Sequence, residues 1–139
     1  MAGSKEHNDY ILMLLEWVEK NPDFNNFCTF SDEDGGLTHP DNIGQSRPDL
    51  YAIDDDNQHC IIGEAKTAIH GQTITDARAL KQLETYFRYL KLFSKAILLI
   101  AVPDEHEYLA RFEVGKLKKK CQFFGEVRYF TSQGMSKDS

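Results

Sequence analysis

Cysteine is scarce in this sequence: only Cys28, Cys60 and Cys121 occur, and they lie far apart. No CxxC pair or Cys/His finger spacing is present, and the five histidines are equally dispersed, so a zinc site is not expected. An odd number of scattered thiols fits a reducing compartment, where disulfides rarely persist. We therefore interpret the cysteines as small, partly buried side chains.

Long apolar segments are also missing. No run approaches the roughly 18 apolar residues that span a bilayer. The N-terminal segment 1–8 is polar and lacks the apolar core of a secretory signal. We expect a cytoplasmic protein that does not associate with a membrane.

A surplus of basic residues is absent as well, because the formal net charge is −6. This balance argues against a nucleic-acid binder, whose surface usually carries more Lys and Arg. However, the acids concentrate at 23–41 and 54–56, whereas basic residues gather at 78–95 and 116–120. Local potential governs binding more than total charge does, and a bound divalent cation would offset several carboxylates. The net charge alone therefore does not decide the partner.

The residue pattern is that of one α/β domain over 1–132, followed by a polar tail at 133–139 that we expect to be disordered. Apolar residues at helical spacing, together with short apolar or alternating runs, predict the order α-β-β-β-α-β-α-β. The predicted helices span about 4–20, 73–93 (capped by Thr73 or Thr75) and 103–120, and the predicted strands span 27–30, 49–54, 59–66, 96–102 and 126–130. A hairpin followed by β-α-β units implies a mixed central sheet flanked by helices.

The hairpin formed by the second and third strands brings charged residues together. If its turn centres on Asp56-Asn57, two residues that tolerate turn conformations, Asp49 lies directly opposite Glu64. Side chains alternate along a strand, so Lys66 shares the face of Glu64. A slip of one residue in the register would destroy this arrangement.

Two carboxylates that face each other on adjacent strands destabilise a sheet unless something neutralises them. A divalent cation such as Mg²⁺, which takes oxygen ligands, would do so and would also polarise a phosphoryl group. The Lys66 ammonium could orient a water or stabilise charge on the phosphate, so the three groups favour phosphodiester cleavage. The alternative is that Glu64-Ala65-Lys66 is a solvated edge or a simple ion pair, although it follows the apolar run 60–62.

The segment Arg47-Pro48-Asp49, followed by Gly63-Glu64-Ala65-Lys66, resembles the PD-(D/E)xK signature of restriction-endonuclease-like nucleases. The core of that superfamily is α-β-β-β-α-β, which is the order predicted here for residues 4–102. The resemblance implies that Asp49 and Glu64 bind Mg²⁺, for which Mn²⁺ substitutes, and that the Ala65 carbonyl is a further ligand. It also implies that Lys66 assists the attacking water.

A second motif, Gln82-x-x-x-Tyr86 on the next predicted helix, is similar to the pattern of RecB-like nucleases and implies that both side chains line the active site. Arg78 lies one turn earlier on the same face, where it could hold a phosphate. Archaeal Holliday-junction resolvases add a glutamate near the start of the first helix, for which Glu6 is the candidate and Glu16 the runner-up. The alternatives are an ordinary polar helix flank and an exposed helix acid, respectively.

The resemblance implies a Mg²⁺-dependent nuclease that hydrolyses DNA, with endonucleolytic cleavage and a homodimer that embraces a duplex as further expectations. RNA and a protein partner stay open. Arg47, Lys118 and Lys119 are candidate contacts to the phosphate backbone, although cations at a helix end also suit the helix dipole. A rival interpretation is a non-cleaving nucleic-acid- or protein-binding module that retains the fold. A third is a nuclease subunit that is active only within a complex.

Overall fold

A six-stranded mixed sheet forms the centre of the computed structural model, which describes residues 5–33, 39–67, 76–132 and 134–137. The strands are β1 (Phe27–Ser31), β2 (Leu50–Asp54), β3 (His59–Ala65), β4 (Lys95–Ala101), β5 (Glu126–Thr131) and β6 (Gly134–Lys137). The helices are α1 (Lys5–Lys20), α2 (Ala77–Leu90) and α3 (Glu107–Lys120), with 3-10 turns at Pro22–Phe24 and Asp104–His106. The strands lie side by side in chain order. The β3–β4 and β4–β5 pairs are parallel and the other pairs are antiparallel.

Helices cover both faces of this sheet, which confirms the predicted α/β architecture. α1 buries Ile11, Leu14 and Val18 against one face, and α2 and α3 pack on the other. Both faces of β3 are buried, since Ile61 joins the cluster under α1 and Ile62 joins the cluster under α2. A central strand covered on two sides is expected to be apolar on both. The core order α1-β1-β2-β3-α2-β4 is compatible with a restriction-endonuclease-like fold.

The register of the β2–β3 hairpin is the predicted one. Leu50 pairs with Gly63, and the pairing continues to the turn without a bulge. The backbone N–H of Asn57 donates to the Asp54 carbonyl at 3.1 Å, and Asn57 itself has a φ of 56°, in the left-handed region that asparagine tolerates. The Asp54 carboxylate accepts a further bond from the Gln58 N–H at 2.8 Å. Turn chemistry and burial therefore fix the same register.

Gly63 allows α1 to lie close to the middle of the sheet. A Cβ on this residue would lie 3.0 Å from the Leu50 Cβ and 3.2 Å from Leu14 Cδ1. Such contacts are tighter than ordinary van der Waals packing, so a larger residue would push α1 away from β3. The close approach brings the first turn of α1 to the carboxyl end of β3.

Two expectations about the ends of elements need correction. Asp76, and not Thr73 or Thr75, caps α2, because its side chain accepts from the Ala79 N–H at 2.8 Å. Thr73 and Thr75 lie outside the described residues. The expected disordered tail was wrong over Gly134–Lys137, which pairs with β5 and covers an edge that would otherwise present unpaired backbone groups. Residues 133, 138 and 139 lie outside the described residues.

In the described part of the chain, no helix is both long enough and apolar enough to cross a membrane.

Candidate active site

Two acidic side chains meet where β2 begins and β3 ends. Asp49 immediately precedes β2 and, in the observed register, lies beside Glu64 of β3. The backbone N–H of Asp49 donates to Glu64 Oε1 at 3.3 Å. The backbone N–H of Ala65 donates to Asp49 Oδ2 at 2.8 Å. Each carboxylate is thus bound by a backbone amide of the opposite strand, so the acid pair and the hairpin register stabilise each other.

Glu64 carries the largest electrostatic cost of this pair. It is only 2% exposed, and burial raises its pKa to about 8 from the usual 4.5, with the charge of Asp49 acting in the same direction. The Lys66 ammonium lies 3.1 Å from Glu64 Oε2 and favours the ionised form, but it does not outweigh burial. Two carboxylates and one ammonium leave the cluster short of positive charge.

Lys66 is held in place from two directions. Its backbone N–H donates to the Ala101 carbonyl at 3.0 Å, which continues the parallel pairing of β3 with β4 by one residue. Its side chain is 17% exposed, so the ammonium lies at the border between the buried pair and solvent. A group at that border can contact both Glu64 and a molecule that enters from outside.

His7 completes the cluster, although no sequence motif pointed to it. Its Nε2 lies 3.3 Å from Asp49 Oδ2 and 3.1 Å from the Ala65 carbonyl oxygen. The bond to Asp49 is the main reason that the pKa of His7 is raised above its usual 6.5. A signal was present, because His7 precedes the buried Ile11 by four residues and Leu14 by seven, which extends the apolar stripe of α1 by one turn.

The predicted stripe on α2 runs from the acid pair out to solvent. Tyr86 is buried, Gln82 is half-buried and Arg78 is exposed, as their four-residue spacing on one helix face requires. Burial raises the pKa of Tyr86, and the charges of Glu64 and Asp49 raise it further, so the hydroxyl lies within their field. Gln82 opposes this shift, but within the described structure the Tyr86 hydroxyl has no hydrogen-bond partner of acceptable geometry.

The donor atoms at this site are oxygens, which is the ligand type that divalent cations such as Mg²⁺ take. Within residues 5–33, 39–67 and 76–132, no group of three or more His, Cys, Asp or Glu side chains is spaced to hold an ion. The available set is instead two carboxylates and the Ala65 carbonyl, which are oxygen ligands that need water or substrate to complete the shell. A cation bound there would offset the charge of Asp49, which raises the pKa of Glu64 in addition to burial.

The structure does not bring all of the predicted site residues together. Glu6 is exposed, and its charge helps to raise the pKa of the Tyr10 hydroxyl. Glu16 forms an exposed ion pair with Lys20 at 3.1 Å. In place of the expected glutamate, α1 contributes His7, because the next residue on a helix faces about 100° away.

The expected phosphate-binding residues divide into two groups. Arg47 lies two residues before Asp49 with its side chain 48% exposed, and it is held by Asp32 at 3.0 Å. Lys118 and Lys119 belong to the last turn of α3, which starts at the site end of β4 and runs about 20 Å away from it. These lysines therefore lie apart from the acid pair, and their contact with a phosphate backbone stays a prediction.

Comparison with known proteins adds little to this geometry. No protein-family model matches the chain, and no curated protein matches it. A solved structure that it resembles is that of Pyrococcus furiosus SfsA in complex with Ca²⁺, with 14% sequence identity and a TM-score of 0.45. That alignment covers 96% of this chain and 60% of the SfsA chain, so the chain spans about three-fifths of that protein. At this level of similarity, function has to be argued from the site.

Proposed function

We propose that this chain is a metal-dependent nuclease that hydrolyses phosphodiester bonds in DNA, with Mg²⁺ as cofactor and Mn²⁺ as a substitute. The observation that carries the proposal is the buried pair of Asp49 and Glu64 at the carboxyl end of β3, with the Lys66 ammonium 3.1 Å from Glu64. Buried like charges cost free energy, and such costs cluster at functional sites.

Asp49, Glu64 and the Ala65 carbonyl would hold the cation. When bound, it would supply Lewis-acid polarisation of a phosphoryl oxygen and of a water, and its charge would relieve the repulsion between the carboxylates. His7 Nε2 contacts both Asp49 Oδ2 and the Ala65 oxygen, so this ring orients two of the three ligand groups. An orienting contact of this kind fixes a ligand before binding and thereby favours it.

The remaining groups suit the substrate side of the reaction. Lys66, at the border with solvent, is placed to hold a water through its ammonium and to stabilise charge on the phosphate. The Tyr86 hydroxyl offers an unused donor beside the acids. Arg78 at the start of α2 and Arg47 two residues before Asp49 are exposed, and they would bind flanking phosphates through their guanidinium groups.

The choice of DNA over RNA and of internal cleavage rests on the PD-(D/E)xK resemblance. The net charge of −6 and the internal bonding of both carboxylates favour the rival function, a module that binds nucleic acid or protein without cleaving. The two functions differ in one measurable respect, namely turnover that depends on both metal and the acid pair.

The test is nicking of supercoiled plasmid with Mg²⁺ or Mn²⁺ by the wild type, by Glu64→Ala and by Lys66→Met. We expect both variants to lose at least about a hundredfold in rate, because Glu64→Ala removes a ligand of the cation and Lys66→Met removes the ammonium that would stabilise charge on the phosphate. Glu84→Ala is the matched control, since Glu84 forms an exposed ion pair with Arg88 at 2.7 Å and should leave the rate unchanged. Metal binding without cleavage of duplex, branched or single-stranded DNA would favour the binding module. Activity that requires an added partner would identify a subunit of a complex.

A further inference from the structure

The outward face of α3 carries large apolar side chains that the fold does not cover. Tyr108 is 79% exposed, Phe112 is 54% exposed and Leu109 is 49% exposed. The opposite side of the helix already packs on the core through Ala110, Val114 and Leu117. Three large apolar residues within two turns form a patch of a kind that usually marks an interaction surface.

A glycine adjoins this patch without a local reason. Gly115 lies in the third turn of α3, and a Cβ on it would meet nothing within 4 Å. Glycine inside a helix costs about 1 kcal/mol relative to alanine. Because no neighbour within the described chain needs the space, the glycine leaves a shallow gap beside Phe112 that another molecule can enter.

The charges at the two ends of α3 indicate which charge pattern a partner of this face should carry. Acids lie at the start of this segment, at Asp104, Glu105 and Glu107, and the last turn carries Lys118, Lys119 and Lys120. If a second α3 packed antiparallel to the first, the basic end of each helix would lie against the acidic end of the other. A parallel partner would place like charges together, which is unfavourable.

We propose that this face binds the same face of a second copy of the chain, with the two α3 helices antiparallel about a two-fold axis through Phe112. In that arrangement Glu105 faces Lys119 of the second copy, and Leu109 fills the gap over its Gly115. Tyr108 contacts the ammonium of Lys116 of the second copy. Within one chain, the Lys116 ammonium lies 4.8 Å from the ring centre of Phe112, so it already favours an aromatic ring. All of these contacts occur twice, as a two-fold interface requires.

The inference does not depend on the proposed nuclease function, because no residue of the acid pair takes part. It does change the geometry expected for a dimer. α3 starts at the site end of the sheet, so antiparallel pairing points the two candidate sites to opposite ends of the assembly. The two sites would not face a single duplex segment.

The test is sedimentation equilibrium of the full chain, with Glu105→Lys, Lys119→Glu and the double variant. We expect the wild type to dimerise with a dissociation constant on the order of 100 μM or below. Each single variant should raise this constant about tenfold or more, since two attractive pairs become repulsive. The double variant should restore the wild-type constant. An equimolar mixture of the two single variants should form a heterodimer, because each of the two contacts then joins one basic and one acidic side chain.

Contact within one chain cannot produce such rescue, because positions 105 and 119 lie about 20 Å apart along the segment. Phe112→Ser should abolish the dimer with an unchanged circular dichroism spectrum, and Phe124→Ser, at a 92% exposed phenylalanine outside α3, is its matched control. A monomeric wild type, a dimer insensitive to these changes, or single variants that do not pair on mixing would each overturn the proposal.

Discussion

Replacing Glu64 by glutamine should stabilise the metal-free protein at high pH. The folded state raises the pKa of this carboxyl from 4.5 to about 8, mainly through burial and then through the charge of Asp49. Between these values the folded protein holds a proton that the unfolded chain releases. The contribution of Glu64 to the free energy of unfolding therefore falls as pH rises through this window and is fully present only below about pH 4.5.

The size of the effect follows from the same shift. One pKa unit corresponds to about 1.4 kcal/mol, so ionised Glu64 lowers the free energy of unfolding by on the order of 5 kcal/mol, or roughly 15 °C in Tm for a chain of this length. His7 acts in the same direction, because its pKa is raised above 6.5 by Asp49 and its stabilising charge is lost as pH rises. Glutamine keeps an oxygen to accept the Asp49 N–H but cannot ionise.

The assay is thermal unfolding in a chelator at several pH values from about 5 to 9. The wild type should lose stability across this range, whereas Glu64→Gln should give a flatter curve that lies above the wild type at the alkaline end. Glu84→Gln, at an exposed ion pair, should follow the wild type. Adding Mg²⁺ should raise the Tm of the wild type most at high pH, since the cation competes with protons, and should have little effect on Glu64→Gln. A wild-type stability that rises with pH without metal, or a glutamine variant less stable than the wild type at pH 9, would refute the reasoning.

Three further predictions concern neighbouring positions. Tyr86→Phe should keep or raise the Tm while lowering the cleavage rate, because it removes a buried hydroxyl without a partner; a fall of more than about 1 kcal/mol in chemical denaturation would contradict this. Gly63→Ala should lower the free energy of unfolding by about 1–3 kcal/mol, because the new Cβ crowds α1 against β2, and an unchanged denaturation midpoint would count against the close approach. In a fluorescence titration, Arg78→Ala should weaken DNA binding and reduce its salt dependence by the equivalent of about one phosphate contact. Lys91→Ala, at the far end of α2, should change neither the affinity nor its salt dependence. Equal effects of the two variants would show that DNA does not bind along the α2 stripe.

The sequence was sufficient to predict the hairpin and the acid pair. Alternation along two short strands and an Asp-Asn turn leave one register, and that register places Asp49 beside Glu64. The stripe on α2 was equally accessible, because a helix face depends only on spacing along the chain. These features depend on residues that are close together in the sequence, so they can be predicted without knowledge of the tertiary packing.

Features that depend on tertiary packing were missed or misplaced. His7 reaches the site only because α1 crosses β3 at Gly63, a contact between distant parts of the chain. The sequence also does not show in which direction α3 runs relative to the acid pair, so it could not give the distance of Lys118 and Lys119 from the site. The last strand, β6, was not predicted because a short polar edge strand shows no alternation of apolar residues. It forms because the edge of β5 is available for pairing, which the sequence does not show.

The crossed bonds between the two acids and the opposite backbone have an evolutionary consequence. Asp49 and Glu64 each accept an amide of the facing strand, but glutamine could take over the bond to the Asp49 N–H without the cost of a buried charge. Selection for a folded hairpin alone would therefore favour glutamine at position 64. The Lys66 ammonium does not stabilise the hairpin backbone in this way, because it bonds to the Glu64 side chain. A glutamate retained at position 64 among relatives of this chain would thus indicate a use of its charge beyond holding the hairpin together.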